Sequence, residues 1–264
     1  MIKIGEQSGN LDEVMNSLAD YYEKDNALKR KIRAAFAYPI MLLVMMIGIV
    51  ILMLAFVIPT FREVLDSLEI EEQGLTKVIY GISDFLLANW LYLLAGIVVI
   101  VLVLFLIGKT GRGRYFYDML KVSFPGIKKV NVNILTSKFA RAFALLLSSG
   151  MDVNDALDAV VIVFGNKYIE KKFRMAADDV RSGLPLALAF DNYRLFPPIM
   201  IQMISVGEKT AALDDILKRS CSFYDSVVDA SLTSLAGKIQ PIMLLILGVV
   251  VGSMFIAVYS PILD

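Results

Sequence analysis

Residues 40–58 read IMLLVMMIGIVILMLAFVI, nineteen consecutive side chains without a charge or a hydrogen-bonding group. At about 1.5 Å of rise per residue, a helix of this length spans roughly 28 Å, the thickness of a bilayer's hydrocarbon core. Two further uncharged runs are comparable: residues 90–107, opening on Trp90, and residues 242–258, interrupted only by Ser253. Three membrane crossings are therefore expected, and the composition agrees. Of 264 residues 57% are hydrophobic, which is too apolar for a soluble globule. No run is N-terminal with a short hydrophobic region and a small-residue cleavage site, so a cleavable signal peptide is a poor reading.

Composition removes several function classes. Lys+Arg and Asp+Glu balance at 26 each, so no global basic field recruits nucleic acid, and none is expected as a partner. Histidine is absent and Cys221 is the single cysteine. Imidazole acid–base chemistry, His/Cys zinc sites and an internal disulfide are excluded. No catalytic, cofactor-binding or metal-binding residue is expected. None of the three spans holds an Asp, Glu, Lys, Arg or His side chain, which speaks against a small-solute transporter subunit, the alternative reading.

Flanking charge gives the orientation, because Lys and Arg resist translocation. Lys24, Lys29, Arg30, Lys31 and Arg33 precede the first span, and Lys109, Arg112, Arg114, Lys121, Lys128 and Lys129 follow the second. Both flanks are expected in the cytoplasm. The connection between these spans carries only Arg62 and Lys77 against six acidic residues, which suits the outer side.

Shifting the sequence against itself by 202 positions reveals a repeat. Gly5-Glu6 falls on Gly207-Glu208, Ser8 on Thr210, Leu11-Asp12 on Leu213-Asp214 and Tyr22 on Tyr224. Pro39 and the four residues after it fall on Pro241 and its four followers, and Pro59 on Pro261. Fifteen of sixty-two pairs are identical where random pairing gives about four. Each copy reads as a Gly-Glu turn, a Ser or Thr able to cap, and an amphipathic helix reaching a proline at the lipid boundary. Pro39 and Pro241 either kink a continuous helix or mark one that ends and restarts. Both copies must lie on one side of the membrane, so an even number of crossings separates them, in agreement with the charge argument. Upstream of Gly207 the second copy has nearly a hundred residues that the first lacks. Most of a first cytoplasmic domain is thus expected to be missing, and the helix over residues 11–35 to lack an intramolecular partner for its apolar face.

Between the second and third spans the periodicity is helical throughout. Helices are expected over 132–149, stopped by Gly150, from Asp152 to about 163, over 167–182, after Pro185, after Pro197-Pro198 and closed by Gly207, and from about 212 to 238. The fold class is all-α: a polytopic membrane protein with three transmembrane helices and a cytoplasmic six-helix bundle. The expected order is a remnant of a first helical domain (1–38), a span (39–58), an extracytoplasmic connection (59–89), a span (90–108), the six-helix domain (109–240), a span (241–259) and an extracytoplasmic tail (260–264).

Several motifs carry a structural and a functional reading. Gly108-Lys109-Thr110 resembles the end of a phosphate-binding loop, but Val103 stands where that loop needs its first glycine, and the preceding residues are membrane helix. Lys109 is read as a positive flank, and any nucleotide chemistry is assigned to another protein. Gly248 and Gly252 form a small-xxx-small face for helix packing, within the chain or between copies. Cys221 aligns with Ala19 and is read as a small buried residue. Glu6 and Glu208 support the N-terminus of the helix that follows them, or present charge to a partner.

Two Gly-Glu-x-Ser/Thr motifs, each leading through a proline into a span, accompany the phrase Phe139-Ala140-Arg141-Ala142-Phe143-Ala144-Leu145-Leu146-Leu147-Ser148-Ser149-Gly150 at the head of a helical domain. In these features the chain resembles the type II secretion system F family, the inner-membrane platform proteins of type II secretion systems and type IV pili. The resemblance covers essentially the whole chain. It implies two cytoplasmic six-helix domains, three spans, no catalysis and no cofactor. As partners it implies a hexameric assembly or retraction ATPase, pilin or pseudopilin subunits, other inner-membrane assembly proteins, membrane lipid and further copies of the chain. One departure stands out: Ala211 occupies the position of Gly9, so a left-handed turn is less readily expected in the second motif.

Overall fold

A computed structural model describes residues 11–67 and 74–263, and among these every regular element is helical. In chain order they are α1 (Leu11–Leu52), a π turn (Met53–Val57), α2 (Ile58–Ser67), α3 (Gly74–Lys109), α4 (Gly111–Ser123), α5 (Lys128–Ser148), α6 (Val153–Val160), a 3₁₀ turn (Val161–Phe164), α7 (Lys167–Arg181), α8 (Leu186–Asn192), α9 (Pro198–Lys209) and α10 (Leu213–Leu263). The chain is an all-α membrane protein that divides into two compact units. One comprises Met1–Ala34 with Gly108–Leu235, the other Ala35–Ile107 with Ala236–Asp264.

Among the described residues four helical stretches are long and apolar enough to cross a bilayer, one more than the sequence analysis expects. The additional one, Lys128–Ser148, is mostly buried inside the first unit, whereas the other three leave most of their side chains outward. Helix α5 is apolar because it is the centre of a protein core. The three remaining stretches are apolar where no protein covers them, as lipid-facing helices are.

The second unit holds the parts of those three stretches that fall within Ala35–Ile107 and Ala236–Asp264. Leu54, Ile58, Leu65, Ile79, Tyr80, Met254, Ala257 and Val258 form its apolar cluster. Two buried hydroxyls on α3 tie it together: Thr76 Oγ1 donates to the Ala257 carbonyl at 2.7 Å, and Ser83 Oγ to the Leu54 carbonyl at 2.6 Å. Leu54 lies in the π turn, where the wider i→i+5 pattern loosens the carbonyl ladder and lets a side chain in. Pro39 and Pro241 both lie inside helices, α1 and α10, that continue through them, so neither proline ends its helix.

In the first unit, Phe139 is the hub of the core. Its ring lies 4.4 Å from that of Phe196, 5.1 Å from Phe143, 5.6 Å from Phe190 and 5.7 Å from Phe173, all buried. Helix α5 closes at Gly150, whose φ of +81° allows the Gly150 and Met151 amides to reach the Leu147 and Leu146 carbonyls. Asp152 caps α6 through the Asn154 amide, and Asn166 caps α7 through the Ile169 amide. Helix α4 has no counterpart in the sequence analysis, and it forms although Gly111 and Gly113 lower the helix propensity of its first turn. Thr110 starts it by accepting from the Gly113 amide, and Asp118 and Val122 are buried beneath it.

Candidate functional site

The repeat motif is the feature the sequence singles out, and in its second copy the structure makes it a three-helix junction. Gly207 is the third-last residue of α9, so the helix runs on past the stop that the sequence predicts at Gly207. It is needed for close approach: a Cβ at this position would lie 3.0 Å from Leu213 Cα and 3.1 Å from Leu213 Cδ1. The helix ends instead at Ala211, with φ of +51°, and the Ala212 amide returns to the Gly207 carbonyl. A left-handed residue is therefore present although the side chain is not glycine, contrary to the expectation from Ala211. Thr210 donates back to the Val206 carbonyl at 2.9 Å and so secures the final turn of α9, without capping α10.

Glu208 does not serve the helix that follows it. Its carboxylate accepts from the Leu186 amide at 2.6 Å and the Ala187 amide at 3.3 Å, at the N-terminus of the preceding helix α8. Pro185 offers no side-chain cap there, so Glu208 supplies from a distance the acceptor and negative charge that a helix start requires. Around the junction lies a cavity of about 350 Å³ lined by Leu147, Val153, Val180, Leu186, Glu208, Leu213 and Asp214. Gly5, Glu6 and Ser8 of the first copy lie outside the described residues, and Leu11 opens α1.

A polar seam that the sequence analysis missed joins α5 to α10. Asp225 Oδ1 accepts from Ser137 Oγ at 2.8 Å and from Arg141 Nη2 at 2.5 Å, and Asn133 Nδ2 donates to Ser231 Oγ at 3.0 Å. Asn133, Ser137 and Arg141 are four apart and so share one face of α5. That spacing was visible in the sequence, but the brighter Phe139 and Phe143 stripe hides it. Cys221 lies beside this seam, half-buried, and burial pushes its thiol up to about 11, which keeps it protonated at neutral pH.

The part of α1 that belongs to the first unit does have a partner there. Leu28 is buried, Tyr21 packs against the core, Asp25 faces Lys138 of α5 at 3.8 Å, and Lys31 pairs with Asp229 of α10 at 2.6 Å. The face that docks is nevertheless not the one its repeat partner buries. Leu217 and Tyr224 are enclosed, while Met15 and Tyr22 at the equivalent positions are 47% and 58% exposed. Gly248 and Gly252 have open space around them, so among the described residues no helix packs closely there.

Gly108 and Lys109 belong to the end of α3, and the Thr110 hydroxyl is engaged as the α4 cap, which leaves no loop to wrap a phosphate. The fold and the junction thus define a class: a polytopic all-α membrane protein whose buried polar groups hold helices together. The chain belongs to the family described as type II secretion system (T2SS), protein F, which matches residues 1–59 and 139–261. The two matches end at Pro59 and Pro261, separated by the same 202 positions as the repeat. The chain is 34% identical over 262 residues to the type IV pilus assembly protein PilC of Thermus thermophilus, covering 99% of this chain and 64% of that protein. It is 33% identical over 258 residues to the PilC of Myxococcus xanthus (98% and 62%), and 31% identical over 265 residues to the type II secretion system protein F of Vibrio cholerae (100% and 65%). The chain therefore spans less than two thirds of the length of these relatives.

Proposed function

We propose that this protein is an inner-membrane platform of a type IV pilus or type II secretion assembly machine, which couples a cytoplasmic hexameric ATPase to the insertion or removal of pilin or pseudopilin subunits. The observation that carries this reading is the duplicated module, matched twice by one family at one fixed spacing. In this reading residues 1–38 and 109–240 face the cytoplasm, and residues 59–89 and 260–264 the other side. The nucleotide is hydrolysed by the partner, and this chain transmits its motion. Further copies and other inner-membrane assembly proteins complete the platform, and Gly248 and Gly252 offer a close-packing face between copies.

Rigid helices serve such a role. Helices α1 and α10 each run unbroken from the first unit into the second. A push on the bundle therefore has a helical path into two spans, from which Pro39 and Pro241 each remove one backbone hydrogen bond. The test is capture of the assembly ATPase by the detergent-solubilised full chain, with the ATPase alone as control. Retention of the ATPase, reduced by charge reversals on the bundle surface, is expected. Failure to retain it under conditions where the fold is intact would overturn the coupling role.

A further inference from the structure

Helix α4 buries one face and leaves the other open in a pattern that neither the duplication nor the polar seams account for. Asp118 and Val122 are buried, Tyr115 packs edge-on against Tyr168 of α7 with ring centroids 5.5 Å apart, and Asp118 accepts from the Lys167 amide at 3.0 Å. This face holds α4 on the bundle. On the other face Phe116 and Leu120, followed by Phe124 at the residue that closes the helix, recur every four residues and are 55%, 39% and 58% exposed. Large apolar side chains aligned at this spacing on a helix surface form one continuous stripe.

The surrounding charge is one-sided. Between positions 109 and 129 stand six Lys and Arg residues and one acid, Asp118, which is buried. Arg112 lies one turn before Phe116 on the same face and is exposed, and Lys128 and Lys129 follow just beyond Phe124. The position along the chain is equally specific. Helix α3, read here as a span, ends at Lys109, and after one extended residue, Thr110 with φ −73° and ψ 146°, α4 begins. A short helix with an apolar aromatic stripe and a cationic border, placed directly after a membrane crossing, matches the composition of a helix that lies in the headgroup layer. A cluster of this many basic residues beside a span is also what anionic lipid recognition requires.

We infer that α4 is an interfacial helix: the Phe116, Leu120 and Phe124 stripe inserts at the headgroup–acyl boundary, and Arg112, Lys128 and Lys129 engage anionic phospholipid headgroups. This rests on reading residues 90–107 as a span, and it does not depend on the ATPase-coupling role. It assigns the bundle a lipid contact besides its helical connections to the spans. The test uses the full chain in nanodiscs, with Trp90→Phe removing the single native tryptophan and Phe116→Trp placing a reporter on the stripe. Emission at short wavelength, quenched more by lipids brominated near the headgroup than by those brominated deep in the chain, is expected. Quenching should be stronger in discs containing phosphatidylglycerol than in phosphatidylcholine alone, and the combined change Arg112→Glu with Lys128→Glu should abolish that difference. Water-like emission unquenched by every brominated lipid overturns the insertion. Equal quenching in neutral and anionic discs overturns the headgroup recognition. Because these side chains are exposed, far-ultraviolet circular dichroism and continued protection of Cys221 from thiol reagents check that the variants remain folded. If the reporter stays unquenched while Leu120→Ser lowers self-association, the stripe is a contact between copies and the membrane assignment fails.

Discussion

Gly207 and Ala211 lie four residues apart and respond to a methyl group in opposite ways. At Gly207 an alanine gains about 1 kcal/mol of helix propensity. Its Cβ would stand 3.0 Å from the Leu213 backbone, however, and an overpacked contact of this kind costs roughly 1–3 kcal/mol. Because the neighbouring atom is main chain, the clash wins, and Gly207→Ala should lower the midpoint of thermal unfolding of the purified chain. At Ala211 the φ of +51° costs a non-glycine residue about 1–2 kcal/mol. Glycine removes that cost while adding about 0.5–1 kcal/mol of unfolded-state entropy. Ala211→Gly should therefore raise the midpoint slightly. A fall in the midpoint for this variant would show that the left-handed turn is not the native one.

Cys221 supplies a pH-dependent counterpart at the same scale. Burial raises its thiol from 9.0 to about 11. Between these values the unfolded chain releases the proton and the folded one keeps it, so the unfolded state is favoured as pH rises. Stability from this group is level below pH 9 and declines through the interval up to about 11. Alkylation of the native protein at neutral pH should be far slower than after denaturation, and a fast native reaction would contradict the burial of the thiol.

Among the elements, the π turn of the first span depends on α3. Ser83 donates to the Leu54 carbonyl in a buried setting, and interhelical side-chain bonds in membranes contribute on the order of 0.6–2 kcal/mol. Ser83→Ala should weaken the packing of α3 by that amount, which a shift in thermal stability in detergent would reveal. Ser83→Thr, which keeps the hydroxyl, should recover most of the loss. Equal destabilisation by both variants would point to volume rather than to the hydrogen bond. Neither the turn nor its donor could be read from the sequence. Residues 40–58 form a uniform apolar run, and a wide turn inside it depends on a residue from another helix.

At the scale of the molecule, charge asymmetry and repeat parity give the same arrangement in the membrane, and it is directly testable. In a Cys221→Ala background, single cysteines replacing Arg30 and Lys128 should react with a membrane-impermeant maleimide only after spheroplasts are lysed, and one replacing Lys77 should react in intact spheroplasts. Labelling of positions 30 and 128 from opposite sides would remove the topology and the platform reading built on it.

The sequence alone carried the all-helical class, the three apolar runs, the duplication at an offset of 202 positions and most helix boundaries of the bundle. These depend on local and periodic properties: hydrophobic run length, spacing along one helix face, and the conformational demands of residues such as Gly150 and Asp152. Tertiary structure alone decided which helix each polar group serves. Glu208 precedes α10 in the chain yet caps α8, Arg141 sits in an apolar stretch yet meets Asp225 eighty-four positions away, and α5 has a span's composition yet forms a core. A carboxylate or guanidinium buried away from water must find a partner, and its identity depends on which segments the fold brings within about 3 Å, a distance that no spacing along the chain encodes.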